Sequence, residues 1–222
     1  MKTQSNTGVI IAALIILLWG SLLYALLTWD FSWSSPFTYL LILVQMHLYT
    51  GLFITAHDAM HGTVSRSAKL NSFIGQLCTG LYAAFSFNKL LEKHHKHHRH
   101  VHSDDDPDYH EGNFFSWYFT FMRRYLSIWQ ILIMAFAFNV LKLWFSETNL
   151  LLFWVLPSLL STLQLFYFGT WLPHHGTHDN QHYSRSQSKN HLAAFVSCYF
   201  FGYHYEHHDA PWLPWWCLWK AK

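Results

Sequence analysis

The sequence predicts an all-α integral membrane protein: about four transmembrane helices in two hairpins, with re-entrant or interfacial helices between them. Three observations predict it. Of the 222 residues, 52% are hydrophobic and only 12% charged, about half the charge of an average soluble domain. The apolar residues gather into runs long enough to cross a bilayer. Finally, 18 histidines outnumber the 14 Lys and Arg, and they cluster at the ends of these runs or between them. The same figures exclude other classes. Disorder requires less apolar material and more net charge than +2. Nucleic acid is not a partner, because 14 basic residues nearly cancel against 12 acidic ones. Three cysteines, Cys78, Cys198 and Cys217, are odd in number and widely spaced, so no disulfide framework follows.

The first charge-free run covers residues 8–29, about 33 Å as a helix, enough to cross the hydrocarbon core. Only Lys2 precedes it and no small-residue cleavage site follows, which reads as a signal anchor. Residues 31–56 form the second run, with Asp30 and Pro36 marking the turn, so a helical hairpin leads straight into His57. Residues 70–87 are weaker, since Asn71, Ser72, Gln76 and two glycines interrupt them; a span and a re-entrant or interfacial helix both remain open. A polar, histidine-rich stretch, 88–113, comes next. Residues 125–141 and 150–172 are the fourth and fifth candidates, joined by a turn at 146–149, and 192–203 is too short to cross alone. If both hairpins enter and leave on one side, every Lys and Arg except Lys142 lies on that side, which the positive-inside rule makes cytoplasmic. With no repeat or low-complexity linker, residues 1–222 read as one domain.

The histidines fall at repeated spacings. His57 and His61 stand at i and i+4; His94, His97 and His98 at i, i+3 and i+4; His204, His207 and His208 repeat the latter pattern. On a helix such positions share a face, so each cluster aims several nitrogens at one place. Pro173-His174-His175 follows the fifth run. Neutral imidazole is the commonest metal ligand. Eight or nine of them exceed the four that a tetrahedral zinc takes, and fit two ions of higher coordination number on the cytoplasmic side. No thiolate sits among them, which argues against iron–sulfur chemistry. Each cluster alone has a plainer reading: a chance pair, a solvated basic face at 92–102, or a histidine capping a helix end. Three clusters together, all on one predicted side, favour a shared metal site.

These boxes, HxxxH, HxxHH and HxxHH, resemble the membrane fatty-acid desaturase and hydroxylase superfamily. The strings YTGLFITAHDAMHG (49–62), HHRHVHSDDDPDY (97–109), QLFYFGTWLPHH (164–175) and CYFFGYHYEHHDAPWLPWW (198–216) are similar to bacterial and cyanobacterial beta-carotene 4-ketolases. HYSRS (182–186) matches their HxARS segment in part, and 174–178 holds more histidine than that family's LPH motif, which His174 matches. The resemblance implies two non-haem iron ions, with O₂ as co-substrate. The implied ligands are His57, His61, His94, His97, His98, His174, His204, His207 and His208. It implies oxidation at C4 of the beta-ionone rings of beta-carotene, giving echinenone and then canthaxanthin by two hydroxylations and a dehydration. A carotenoid 3-hydroxylase or a lipid desaturase of the same superfamily is the near alternative. A non-enzymatic membrane metal-binding protein is the distant one, disfavoured because the spans are nearly free of Asp, Glu and Lys.

No GxGxxG fingerprint is present, so electrons would come from a separate donor such as ferredoxin. The carotenoid would enter from the lipid bilayer of the cell inner membrane or a thylakoid. Trp212, Trp215, Trp216 and Trp219 read as an interfacial anchor, and no substrate-binding residue is assigned. Carboxylates that accept imidazole N–H groups orient metal ligands; Asp58 within the first box, Glu206 within the third and Asp106 after the second are the candidates. His95, His100, His102 and His110 carry no assigned role.

Overall fold

Apolar side chains facing outward and polar ones facing inward distinguish this protein from a soluble bundle. The computed structural model describes residues 6–222, all helix and connecting loop with no strand among the described residues; Lys2, used above for orientation, lies outside them. Three helices are long and apolar enough to cross a membrane: α1 (Thr7–Leu27), α2 (Pro36–Met60) and α7 (Glu147–His174). Leu17 of α1 is 64% exposed, as a lipid-facing residue is and a core residue is not. Helix α2 is the most enclosed of the three and packs against α1, α7 and the helix that follows it. Its start is set by Pro36, whose fixed φ and missing N–H suit the first helical turn.

Two devices join the spans. A Cβ on Gly8 would lie 2.3 Å from the Val64 carbonyl oxygen, so only glycine lets α1 close against the loop after α2. Asn149 at the start of α7 donates to the carbonyls of Leu26 (2.9 Å) and Trp29 (2.8 Å), which satisfies acceptors that the end of α1 leaves open. Deeper in, Ser161 of α7 meets Thr50 of α2 (2.8 Å) and the Tyr82 hydroxyl (3.1 Å). Helix α7 also carries two π-helical stretches, Leu150–Val155 and Tyr167–Trp171, each running up to within two residues of a proline, Pro157 and Pro173. A proline inside a helix has no N–H to donate and crowds the carbonyl four residues back, so the preceding turn widens.

The remaining segments depart from expectation. The weak third run is α3 (Ala68–Ala83), 16 residues ending at Ala84 with φ 54°, about 24 Å and short of a span. It folds back along α2, with Asn71 Nδ2 donating to the Ala59 carbonyl at 2.7 Å. Phe87 belongs to the next helix, α4 (Phe87–His100). The fourth candidate, 125–141, is essentially α6 (Ile128–Leu141), about 21 Å long and short of a span on its own; it meets the preceding helix, α5 (Phe114–Tyr125), at 84°. Ser127 causes the break, its hydroxyl accepting from the Gln130 N–H and starting α6 afresh. The chain thus has three candidate spans, or four if this bent pair counts as one. The predicted turn at 146–149 falls a few residues earlier, at 142–146, and α7 begins at Glu147, capped by Ser146. Short helices α8 (His191–Cys198), α9 (His204–Asp209) and α10 (Trp215–Leu218) complete the fold.

Candidate metal centre

The last turn of α2 and the residue after it present His57 and His61. Helix α4 presents His94, His97 and His98, the last residue of α7 is His174, and α9 presents His204, His207 and His208. Their ring nitrogens meet in two groups. His57, His61, His94, His98 and His207 form one; His97, His174, His204 and His208 form the other; within each, one nitrogen per residue lies within 4.8 Å of all the rest. The second and third boxes are each shared between the groups. Helix geometry is the reason: positions i and i+4 point nearly the same way, whereas successive residues diverge by about 100°. His94 and His98 therefore stay together while His97 turns to the other group, and His204 and His208 part from His207 likewise.

The spacing fits bound cations. Nε2 atoms of His61 and His94 are 2.7 Å apart, His174 and His204 2.9 Å, His98 and His207 3.0 Å, His204 and His208 3.0 Å, and His97 and His208 3.2 Å. Two donors at right angles on an ion, each bonded at about 2.1 Å, stand about 3.0 Å apart. The imidazoles cannot satisfy one another, since each neutral ring has one donor and one acceptor and His208 Nε2 faces two others. Buried His57 has no hydrogen-bond partner at either ring nitrogen, a desolvation cost that a cation at the focus of the group removes. Burial also favours the ligating, uncharged form of most of these rings. Burial first, and neighbouring imidazoles second, push His61 down to about 4 and His98 to about 2. Burial likewise holds His94, His204, His207 and His208 well below the usual histidine range.

His97 behaves differently. Burial lowers its pKa, but Asp108 and Asp106 outweigh that and raise it. Its Nδ1–H donates to Asp106 Oδ1 at 2.9 Å. Asp106 is itself held by the backbone N–H groups of His102 (2.9 Å) and Asp108 (2.8 Å). This fixes the tautomer and aims Nε2 at the second group. His174 is oriented the same way by the Tyr183 carbonyl, 2.8 Å from Nδ1.

The other two carboxylates do not take the expected part. Asp58 lies 3.7 Å from His57 Nδ1, too far for a hydrogen bond, and accepts instead from the Trp215 backbone N–H at 2.9 Å. Glu206 accepts from Ser186 and Lys222, because on α9 it points away from the face shared by His204 and His208. Sequence reasoning singled out Asp106 but not Asp108, which takes a hydrogen bond from the Tyr125 hydroxyl and lies 3.9 Å from His97 Nδ1. The acidic run was visible, yet nothing local separates buried Asp106 and half-buried Asp108 from Asp105, which pairs at the surface with Lys96. Beside His174, His175 is exposed and packs against the Trp171 ring, and His178 joins neither group.

Beside the two groups opens a cavity of about 830 Å³, its mouth included. Phe53, Leu165, Phe201 and other apolar side chains line it, and His57, His94, His97 and His204 form part of its wall. Both histidine groups therefore face one apolar chamber.

Buried and half-buried imidazoles in two groups, opening on an apolar chamber in a protein of apolar helices, define a membrane protein of the histidine-box class. The chain belongs to the fatty acid desaturase family, whose pattern matches residues 31–140 and 120–222. Among curated relatives it is 43% identical to a beta-carotene ketolase of a Paracoccus species, over 77% of this chain and 73% of that protein. It is 39% identical to a zeaxanthin 4-ketolase of Chlamydomonas reinhardtii, over 97% of this chain and 53% of that one. It is 37% identical to a beta-carotene 4-ketolase of Protosiphon botryoides, over 95% and 62% respectively. The chain thus spans about half to three quarters of the length of these relatives. No solved structure gives a significant match.

Proposed function

We propose that this protein is a beta-carotene 4-ketolase, an O₂-dependent oxygenase whose nine grouped histidines hold two iron ions. The observation that carries the proposal is the apolar chamber walled by His57, His94, His97 and His204, which offers a hydrocarbon room beside both groups at once; the ketolase relatives agree with it. When bound, the iron pair supplies the redox chemistry by which O₂ attacks an unactivated or allylic C–H bond. The protein's own work is positioning and exclusion. Phe53, Leu165 and Phe201 seat the ring by apolar contact and keep water out. Asp106 and the Tyr183 carbonyl hold His97 and His174 in register. Each hydroxylation consumes one O₂ and two electrons with two protons, puts one oxygen atom on C4 and releases the other as water. A second hydroxylation of C4 gives a gem-diol, which loses water to leave the ketone.

In this reading the bent pair α5–α6 counts as one span, the chain crosses in two hairpins, and the site lies at the cytoplasmic face, with Lys142, paired with Glu147 at 2.8 Å, at the opposite turn. Exposed Lys89, Arg99, Arg123 and Arg124 then offer a cationic surface to an acidic electron donor such as ferredoxin. Expression in a host that accumulates beta-carotene tests the proposal: echinenone and canthaxanthin should appear. Unchanged pigment, from folded protein with both irons and a working donor, refutes it. Product position also separates ketolase from 3-hydroxylase and desaturase. A chamber-filling change, Leu165→Trp, should cut conversion about tenfold or more while metal content stays constant, because overpacking excludes the ring without touching a ligand. Equal loss of metal would mean that the chamber wall supports the metal groups rather than the substrate.

A further inference from the structure

Two oxidations at one carbon require that the alcohol made by the first stay in place for the second. An alcohol is a poor guest in an apolar chamber unless something there accepts or donates a hydrogen bond. Apart from its histidines, the wall contains few such groups, and most are committed. The Tyr125 hydroxyl donates to Asp108. The Tyr82 hydroxyl is engaged with Ser161 and Thr162, and Thr162 donates to the Ser158 carbonyl at 2.9 Å. Thr170 is the exception. It lines the chamber, is 5% exposed, and its hydroxyl has no hydrogen-bond partner among the described residues.

Its place in the fold follows from the π-helical stretch Tyr167–Trp171. Such a stretch departs from the regular ladder and re-aims its side chains. Next to it, a Cβ on Gly169 would come within 2.7 Å of the Phe201 ring, so the absence of a side chain there lets the chamber wall close tightly against the α7 backbone. Thr170 also stands four residues before His174, about one helical turn away, and His174 belongs to the second histidine group.

We propose that Thr170 is a positioning residue that holds the C4 hydroxyl of the half-oxidised ring and so commits it to the second oxidation. This inference rests on the ketolase reading. The ligand class is a ring-hydroxylated carotenoid, and the contact is a single hydrogen bond between two hydroxyls. Thr170 plays no part in binding the unoxidised ring beyond packing, since that ring has no polar atom to meet it.

The test uses the full chain in membranes with beta-carotene and an electron donor, comparing the wild type with Thr170→Val and Thr170→Ser. Valine keeps the shape and removes the hydroxyl; serine keeps the hydroxyl. The expected result for Thr170→Val is an alcohol-to-ketone ratio about fivefold higher, the effect of losing one ordinary hydrogen bond. Its KM for supplied 4-hydroxy-beta-carotene should rise several-fold more than its KM for beta-carotene, and Thr170→Ser should restore the wild-type ratio. An unchanged ratio in Thr170→Val overturns the inference while leaving the ketolase reading intact. Equal shifts for both substrates overturn it too, because packing alone would explain them. A wild type that forms no ketone overturns the ketolase reading, and the inference with it.

Discussion

Replacement of His208 by Ala is expected to abolish ketone formation and to leave one iron per chain where the wild type holds two. His208 Nε2 stands 3.0 Å from that of His204 and 3.2 Å from that of His97, so the group of four loses the member that links two of the others. Removing a group that merely orients a ligand costs about 10–100-fold in metal affinity or activity, and removing the ligand itself should cost more. His98→Ala should empty the other group instead, because His98 belongs with His57, His61, His94 and His207. Iron content of the purified chain, read beside pigment composition, checks both. If either variant keeps two irons and full activity, the division into two groups is wrong. His95→Ala is the matched control: His95 lies outside both groups and contacts the Met60 carbonyl at 3.1 Å, so it should change activity little.

Asp106→Ala should lower ketone formation about 10–100-fold, with a matching loss of iron from the group of four. The carboxylate accepts the His97 Nδ1–H at 2.9 Å and two backbone N–H groups of the loop after α4. Without it, His97 loses the partner that fixes its tautomer, and the loop loses its own support. Asp106→Asn should be milder, since an amide oxygen still accepts from the ring. Activity within twofold of wild type in Asp106→Ala would show that His97 is oriented by packing alone. Glu206→Gln is the instructive contrast. Its carboxylate ties Ser186 and Lys222 and touches no imidazole.

Much of the site was legible because spacing on a helix is geometry written in sequence. The separations of three and four residues in His94, His97 and His98, and again in His204, His207 and His208, announce a shared face before any fold is known. His174 was legible only through resemblance to a motif. The roles of the carboxylates were not legible. Asp58, Asp106, Asp108 and Glu206 all stand near boxes, and each side chain's partner depends on which distant segment packs against it: Trp215 for Asp58, Lys222 for Glu206, Tyr125 for Asp108. The same holds for the helices. The long runs 31–56 and 150–172, which make up most of α2 and α7, were plain from hydropathy. The 84° angle between α5 and α6 was not, because hydropathy marks where the apolar run begins, just after Arg123 and Arg124, but not that the helix before it turns there.

The sequence by itself determined that this is a helical membrane protein carrying its imidazoles in three boxes, since hydropathy and helical spacing are local properties of the chain. Only the tertiary structure decided how the nine histidines divide into a five and a four, and which carboxylate serves which ring. It also decided that an apolar chamber with one uncommitted hydroxyl opens between them. The physical reason is that each of these depends on side chains from α2, α4, α7 and α9 converging at one place. Convergence across more than a hundred residues leaves no periodic trace along the chain.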